Sequence, residues 1–334
     1  MQKTDTYKCP FFVLLNLKIV EAFKKTSGSL MVWHLLAIAT VLFWGTSFVS
    51  TKTLINHGFS AVQIFTIRFA ATYIILLLAG LRKLRFRADS LKDELYFLLG
   101  GVTGCTIYFW AENTALTISQ SSNVSLIVCT NPLLIMLAGI FLFRREQLVK
   151  RQIIGSLITF VGMVLVVLNG KFVLKLSPVG DLLAFCSAIA WTVYAYSTEK
   201  VRSKYSTLFA IRKIFFYGFL TSLPIMALDY FGIGAQGTFA SHAIPWEAFT
   251  EPVVIGNFLC LCVFSNLFGY LIWNKVMDKL GTVLASNYIY GIPLVTMITA
   301  AITIGEHISA VAIAGAAAIV TGMIMAEYKK NSRD

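Results

Sequence analysis

The chain has 334 residues, of which 57% are hydrophobic and 13% charged, and a formal net charge of +12. A soluble domain carries roughly 25% charged residues, so this composition excludes an ordinary soluble enzyme or binding domain. The basic residues sit in short clusters between apolar runs, the pattern of membrane loops rather than of a nucleic-acid surface.

Residues 1–30 read as a cytoplasmic extension. Phe11 to Val20 is apolar but too short to span, Glu21 to Lys25 follows it, and no convincing small-residue cleavage site marks a signal peptide. An interfacial amphipathic helix, or a translation start at Met31, suits the same stretch. About 20 apolar residues cross the hydrocarbon core of a bilayer. That length predicts helices near 33–53, 60–81, 94–116, 120–143 and 149–168, then near 178–198, 205–229, 253–275, 281–304 and 307–327. The expected fold is thus an all-α membrane protein of ten transmembrane helices. Connections are short except from Tyr230 to Pro252, a stretch without Lys or Arg that reads as an outer loop.

Lysines and arginines fix the orientation. They cluster at Lys18, Lys24 and Lys25, at Arg82 to Arg87, at Arg144, Arg145, Lys150 and Arg151, at Lys200 to Lys204, at Lys275 and Lys279, and at Lys329 to Arg333. With ten spans these are alternate loops on one side, and the opposite loops hold only Lys52, Lys171 and Lys175. The positive-inside rule then puts both termini in the cytoplasm. Cys105, Cys129, Cys186, Cys260 and Cys262 lie within apolar segments at spacings that fit neither zinc nor a disulfide framework, so they read as small reduced hydrophobes.

The two halves repeat. Leu35-Leu36-Ala37 with Trp44, Ser50 and Thr51 aligns without gaps on Leu182-Leu183-Ala184 with Trp191, Ser197 and Thr198. Ile67-Arg68 answers Ile211-Arg212, and Asn113, Ser125 and Pro132 answer Asn274, Ser286 and Pro293. Glu146, Gly155 and Gly162 answer Glu306, Gly315 and Gly322. The repeats cover 31–169 and 178–328, with a cytoplasmic tail at 329–334. Five helices per repeat is an odd number, so the second repeat must enter upside down. Inverted repeats are common in secondary transporters, where the site lies near the midplane between them.

These residues resemble the drug/metabolite transporter superfamily and, within it, the EamA-type exporters. The resemblance runs from Met31 to Tyr328. It rests on Phe43-Trp44-Gly45-Thr46-Ser47-Phe48, on Ile67-Arg68-Phe69, on Asn113-Thr114-Ala115-Leu116 through Asn131-Pro132, and on the two Glu…Gly…Gly sets. Arg144-Arg145 stand before Glu146 where such proteins often have Gly, a departure from the expected tight turn. The resemblance implies a proton- or gradient-linked exporter, or a facilitator, for amino acids or other small metabolites in a bacterial cytoplasmic membrane, as monomer or homodimer.

Pro132 and Pro293 fall inside predicted helices, where each removes a backbone hydrogen bond and should kink or unwind the chain. They read as hinges or as tolerated packing kinks; Pro224 has no repeat partner and reads as structural. Glu112, whose repeat counterpart is Trp273, is an acid within a span about five residues, roughly 7–8 Å, from its outer end. It suits a proton-coupling site, and equally a solvated or paired carboxylate. Arg68 and Arg212 would hold an anionic substrate, or pair with helix-end carbonyls or lipid phosphate. Trp44, Glu112, Asn113, Trp191, Asn274, Asn287, Tyr288 and Tyr290 offer the surface of an aromatic, amide-lined substrate cavity. Packing and interhelical hydrogen bonds would use the same residue types.

Gly100 and Gly104 have the spacing of a close helix contact. Gly232 to Gly237 matches a dinucleotide fingerprint literally, but no strand precedes it and no helix opens on phosphates. No cofactor or metal motif is present in the sequence. The rival function is a membrane-embedded enzyme for lipid-linked or hydrophobic substrates, which needs convergent acids, histidines or serines at membrane depth. His34, His57, His242 and His307 fall near interfaces or in loops, which disfavours it.

Overall fold

Apolar sequence of spanning length becomes helix throughout the computed structural model, which describes residues 30–79, 86–119, 121–142, 150–168, 177–231, 243–304 and 308–327. The N-terminal extension, Arg144 to Glu146, Gly232 to Gly237, His242, Glu306 and His307 lie outside the described residues. The helical segments in chain order are α1 (Leu30–Asn56), α2 (Ala61–Ala79), α3 (Leu91–Gly101, Val102–Ile107 and Tyr108–Ile118), α4 (Ser121–Val128 and Asn131–Phe141) and α5 (Lys150–Leu168). They continue with α6 (Pro178–Arg202), α7 (Thr207–Tyr230), α8 (Pro252–Leu259, Cys260–Phe268 and Gly269–Leu280), α9 (Thr282–Asn287, Tyr288–Gly291 and Ile292–Ile304) and α10 (Ala310–Glu327). Seven described helices, within α1, α2 and α5 to α9, are long and apolar enough to cross a membrane. Shorter apolar helices lie at Leu126–Phe141 and Ala310–Ala326.

Caps and turns define the ends. The Ser90 hydroxyl accepts from Asp93 N at 3.1 Å, with Asp93 and Glu94 facing the positive end of α3. The Ser206 hydroxyl caps α7 through Phe209 N at 3.3 Å. Gly58 and Gly281 both take φ of +89°, and only glycine enters that conformation without strain, so each reverses the chain between adjacent helices.

The packing is inverted relative to a soluble protein. Leu35, Ile38 and Leu42 form an exposed apolar stripe on α1, and Ile313, Val320 and Ile324 another on α10, while Thr40, Thr72, Ser187 and Asn266 are buried. A chain bathed in hydrocarbon turns its apolar side chains outward and keeps polar groups where other helices satisfy them. The described cysteines are all free; Cys105, Cys129 and Cys262 are buried, and Cys186 faces outward.

Irregular backbone occurs at matching places in the repeat. Val102–Ile107 in α3 and Cys260–Phe268 in α8 are π-helical, and both end six residues before the paired Asn113 and Asn274. Pro132 and Pro293 likewise lie beside breaks. The expectation that each proline bends the interior of one helix gives way to a sharper arrangement. The chain leaves the helix ahead of Pro132 at Cys129 and Thr130, so the proline opens the second half of α4, where its missing N–H costs nothing. In α9 the 3-10 turn Tyr288–Gly291 plays the same part ahead of Ile292 and Pro293. The Thr130 N–H and hydroxyl both reach the Ile127 carbonyl, at 3.0 and 2.6 Å. Pro224 sits inside α7 without a break.

α5 and α10 meet on glycines. A Cβ on Gly155 would lie 2.6 Å from Ala326 N and 2.7 Å from the Gly322 carbonyl oxygen; one on Gly162 would lie 2.6 Å from Ile319 N and 2.7 Å from the Gly315 carbonyl oxygen. The pairing is reciprocal: Gly155 faces Gly322, and its counterpart Gly315 faces Gly162. Gly104, in the π-helix of α3, leaves no room for a Cβ beneath Tyr194 of α6, so the small-residue spacing packs helices within one chain.

Candidate substrate site

The centre of the molecule is a cluster of aromatic rings drawn from both halves. Trp44 of α1 contacts Trp191 of α6 edge-on, with centroids 5.5 Å apart, and Trp273 of α8 at 5.0 Å. Tyr194 and Tyr108 lie 4.9 and 5.2 Å from Trp191, and Tyr270 lies 6.1 Å from both Trp44 and Trp191. The π-helices supply acceptors to this cluster, because their misaligned ladder leaves carbonyls free. The Trp44 indole N–H donates to the Ser265 carbonyl at 3.1 Å, and the Tyr270 hydroxyl to the Gly104 carbonyl at 2.8 Å.

Asn274 joins the cluster through its amide N–H groups, which reach the Tyr194 hydroxyl at 2.7 Å and the Tyr270 carbonyl at 2.9 Å. Its Oδ1, with the indole N–H groups of Trp191 and Trp273, is buried without a hydrogen-bond partner among the described residues. Each such atom costs about 1–3 kcal/mol. A cavity of about 20 Å³ reaches Asn274 past Arg202, Thr207, Ala210 and Asp278. That volume is room for one water.

Arg68 is 3% exposed, and an amide and an aromatic ring face it among the described residues. Its Nε and Nη2 donate to Asn266 Oδ1 at 3.0 and 2.5 Å, Nη2 lies 3.5 Å from the Ser265 hydroxyl, and the guanidinium sits 4.5 Å from the Phe109 ring. An amide and an aromatic face thus take the place of a carboxylate. Removing that amide strands a buried charge. Asn266→Leu is therefore expected to destabilise the protein by about 2–3 kcal/mol, the worth of hydrogen bonds to a charged group. A thermal melt of purified protein in detergent measures it. Arg212 does not share this environment; it lies by the rings of Phe86 and Phe209 at 5.9 and 5.6 Å.

Glu112 is 5% exposed, so the solvated reading does not describe its place here. The Tyr108 hydroxyl donates to its Oε1 at 3.2 Å, and Tyr108 in turn touches Trp191. Phe109, one turn before Glu112 on the same helix, carries Arg68 on its face. Asn113 is buried. The remaining expected lining residues have partners of their own. Asn287 accepts from the Ser156 hydroxyl at 2.9 Å, Tyr288 meets His34 Nδ1 at 2.6 Å, and Tyr290 packs 6.2 Å from Phe160. They surround the broken turn of α9 rather than the tryptophan cluster.

Aromatic pairs stand at matching places toward the two ends of this centre. Phe97 packs edge-on to Tyr205 at 5.3 Å, and Phe258 edge-on to Phe59 at 5.1 Å. Phe97 and Phe258 each lie sixteen residues before the paired Asn113 and Asn274. Polar latches cover both. At the basic end Lys204 bonds Asp93 at 2.7 Å and the Tyr205 hydroxyl bonds the same carboxylate at 2.9 Å, while Lys213 and Tyr217 hold Glu94. At the other end His57 Nε2 lies 3.3 Å from Glu251 Oε2.

Tyr108, Tyr194, Ser265, Asn266 and Tyr270 belong to this site without having stood out in the sequence. Tyr194 carried a signal, lying one turn after Trp191; the carbonyl acceptors carried none, since a π-helix leaves no mark in composition.

The EamA-like transporter family matches the chain twice, over residues 31–168 and 178–328. An uncharacterized transporter of Archaeoglobus fulgidus is 24% identical over 89% of this chain and 99% of its own length, and the uncharacterized transporter YyaM of Bacillus subtilis 26% over 88% and 92%. A probable amino-acid metabolite efflux pump of Salmonella typhimurium is 24% identical over 86% of this chain and 92% of its own. A solved crystal structure shares the fold with a TM-score of 0.70 at 19% identity, over 89% of this chain and 97% of that one.

Proposed function

The chain belongs to the EamA-like transporter family and is a multi-pass membrane protein, and on that premise we propose that it is a secondary-active carrier that exports small metabolites. The observation that carries this reading is the pair of matched closures, Phe97 on Tyr205 and Phe258 on Phe59, at the two ends of one buried aromatic and polar centre. A carrier needs two gates that never open together around a shared site, and an inverted repeat supplies two copies of one gate facing opposite ways.

In this reading α1–α5 and α6–α10 are two inverted five-helix repeats, with both termini on the cytoplasmic side of a bacterial cytoplasmic membrane. The reciprocal glycine contact of α5 with α10, and the paired π-helices, support it. The broken turns before Pro132 and Pro293 act as the hinges. Trp44, Trp191 and Asn274 line the substrate path with Asn113, and Asn287, Tyr288 and Tyr290 line its wall by the α9 break. Glu112, buried beside that path, is the proton-coupling group. Amino acids and related metabolites are the favoured substrates ahead of drug-like compounds, a reading supported by the Salmonella relative's name, a probable amino-acid metabolite efflux pump.

The test is counterflow in proteoliposomes loaded with one unlabelled amino acid of a panel and supplied outside with its labelled form. Saturable uptake accelerated by the internal load is expected for at least one compound. Flux that is linear in concentration and indifferent to the load would indicate a channel instead.

A further inference from the structure

We propose that the indole N–H groups of Trp191 and Trp273 receive a hydrogen-bond acceptor of the transported molecule, a carboxylate or carbonyl, while Asn274 Oδ1 takes a donor from the same molecule. The inference rests on the carrier reading and deepens it by specifying the substrate's polar head. It selects a small molecule with acceptor and amino group side by side, and rejects amphiphiles whose only polar group is a cation.

The repeat sets Trp191 apart from its counterpart. Trp44 and Trp191 hold one repeat position; the Ser265 and Gly104 carbonyls hold another, each nine residues before the paired asparagines. Trp44 donates to Ser265 at 3.1 Å. In the other half the corresponding carbonyl, that of Gly104, accepts instead from the Tyr270 hydroxyl at 2.8 Å. Tyr270 stands where the first half has Phe109, which has no hydroxyl to give. The Trp44 pattern is thus not repeated at Trp191, whose N–H is open among the described residues and which is only 4% exposed.

Trp273 and Asn274 repeat the asymmetry. Trp273 is 1% exposed with its N–H unpaired, at the position where the first half has Glu112. Asn274 spends both described bonds as donor, through Nδ2, leaving Oδ1 as an acceptor. Both indoles contact the Trp44 ring, and the Tyr194 hydroxyl links Asn274 to the ring packed 4.9 Å from Trp191. Packing alone would be served by phenylalanine at either tryptophan, without the cost of an unmatched N–H. The aromatic faces would attract an organic ammonium. A cation by itself, however, leaves two buried donors without an acceptor, the mismatch by which hydrogen-bonding sites reject analogues lacking the polar group.

The experiment uses the full-length protein in proteoliposomes, with the twenty amino acids and the decarboxylated amine of each one that moves. Wild type is expected to transport an acid and not its amine. Trp191→Phe is expected to raise KM for that acid about 10- to 100-fold, the worth of a hydrogen bond to a charged group, and to affect maximal rate less. Tyr270→Phe tests the same point without altering a tryptophan: it leaves the Gly104 carbonyl without its hydroxyl partner and so offers the Trp191 N–H a competing acceptor, and KM is expected to rise in the same direction. Unchanged KM in the folded variants, or wild-type transport of amines as readily as acids, overturns the assignment and leaves the carrier standing. If no compound of the panel shows saturable counterflow, the carrier reading falls and this inference falls with it.

Discussion

Gly162→Leu is expected to prevent stable assembly of the helical bundle. A Cβ at Gly162 would already sit 2.6 Å from Ile319 N and 2.7 Å from the Gly315 carbonyl, both backbone atoms that cannot rotate away. Leucine adds three further carbons, so α5 and α10 must separate along the length of their contact. Overpacking in a well-packed core costs about 1–3 kcal/mol where side chains yield, and here backbone must move, so a loss above that range is expected. In lipid no hydrophobic effect holds two helices together once close packing is lost, which removes the usual compensation. The measurement is the fraction remaining monodisperse on size exclusion after graded heating in detergent. Gly256→Ala is the control: a Cβ there meets nothing within 4 Å, and its effect should stay within about 0.5 kcal/mol.

Glu112→Gln is expected to uncouple transport from the proton gradient and to leave the fold intact. Glutamine matches the carboxylate in shape and still accepts from the Tyr108 hydroxyl, which lies 3.2 Å from Oε1, but it has no proton to exchange. Coupling between a proton and a substrate is typically a factor of about 5–150, so gradient-driven accumulation should fall about tenfold or more. Counterflow at equal pH on both sides needs no proton and should continue. Gradient-driven accumulation at the wild-type level would remove Glu112 from the coupling role.

Much of the architecture was legible because a bilayer imposes simple lengths and signs. Apolar runs near 149–168 and 178–198 appear as Lys150–Leu168 and Pro178–Arg202. Those near 94–116 and 253–275 extend to Leu91–Ile118 and Pro252–Leu280, because their polar ends continue the helix past the hydrocarbon. The prolines marked where α4 and α9 deviate, though not that the helix stops short of each. Composition cannot distinguish a kinked helix from two helices sharing a turn.

The site was legible in part. Trp44 and Trp191 do touch ring to ring, and Asn274 joins them through the Tyr194 hydroxyl. Asn287, Tyr288 and Tyr290 share residue type with them, but the break in α9 gives them neighbours of their own. The partners of Arg68 were hidden for a different reason. Asn266 lies in a π-helical stretch, where the extra residue changes which way each side chain faces, so helical periodicity misplaces it.

The central claim is that two ends open in turn around one site, and reversible locks at each end test it directly. On a background without native cysteines, Asp93→Cys with Lys204→Cys would tie the basic end, and His57→Cys with Glu251→Cys the opposite end, each pair joined by a reducible thiol linker. Either lock alone is expected to stop counterflow, and reduction to restore it. Counterflow that persists with either end tied shut would contradict alternating access.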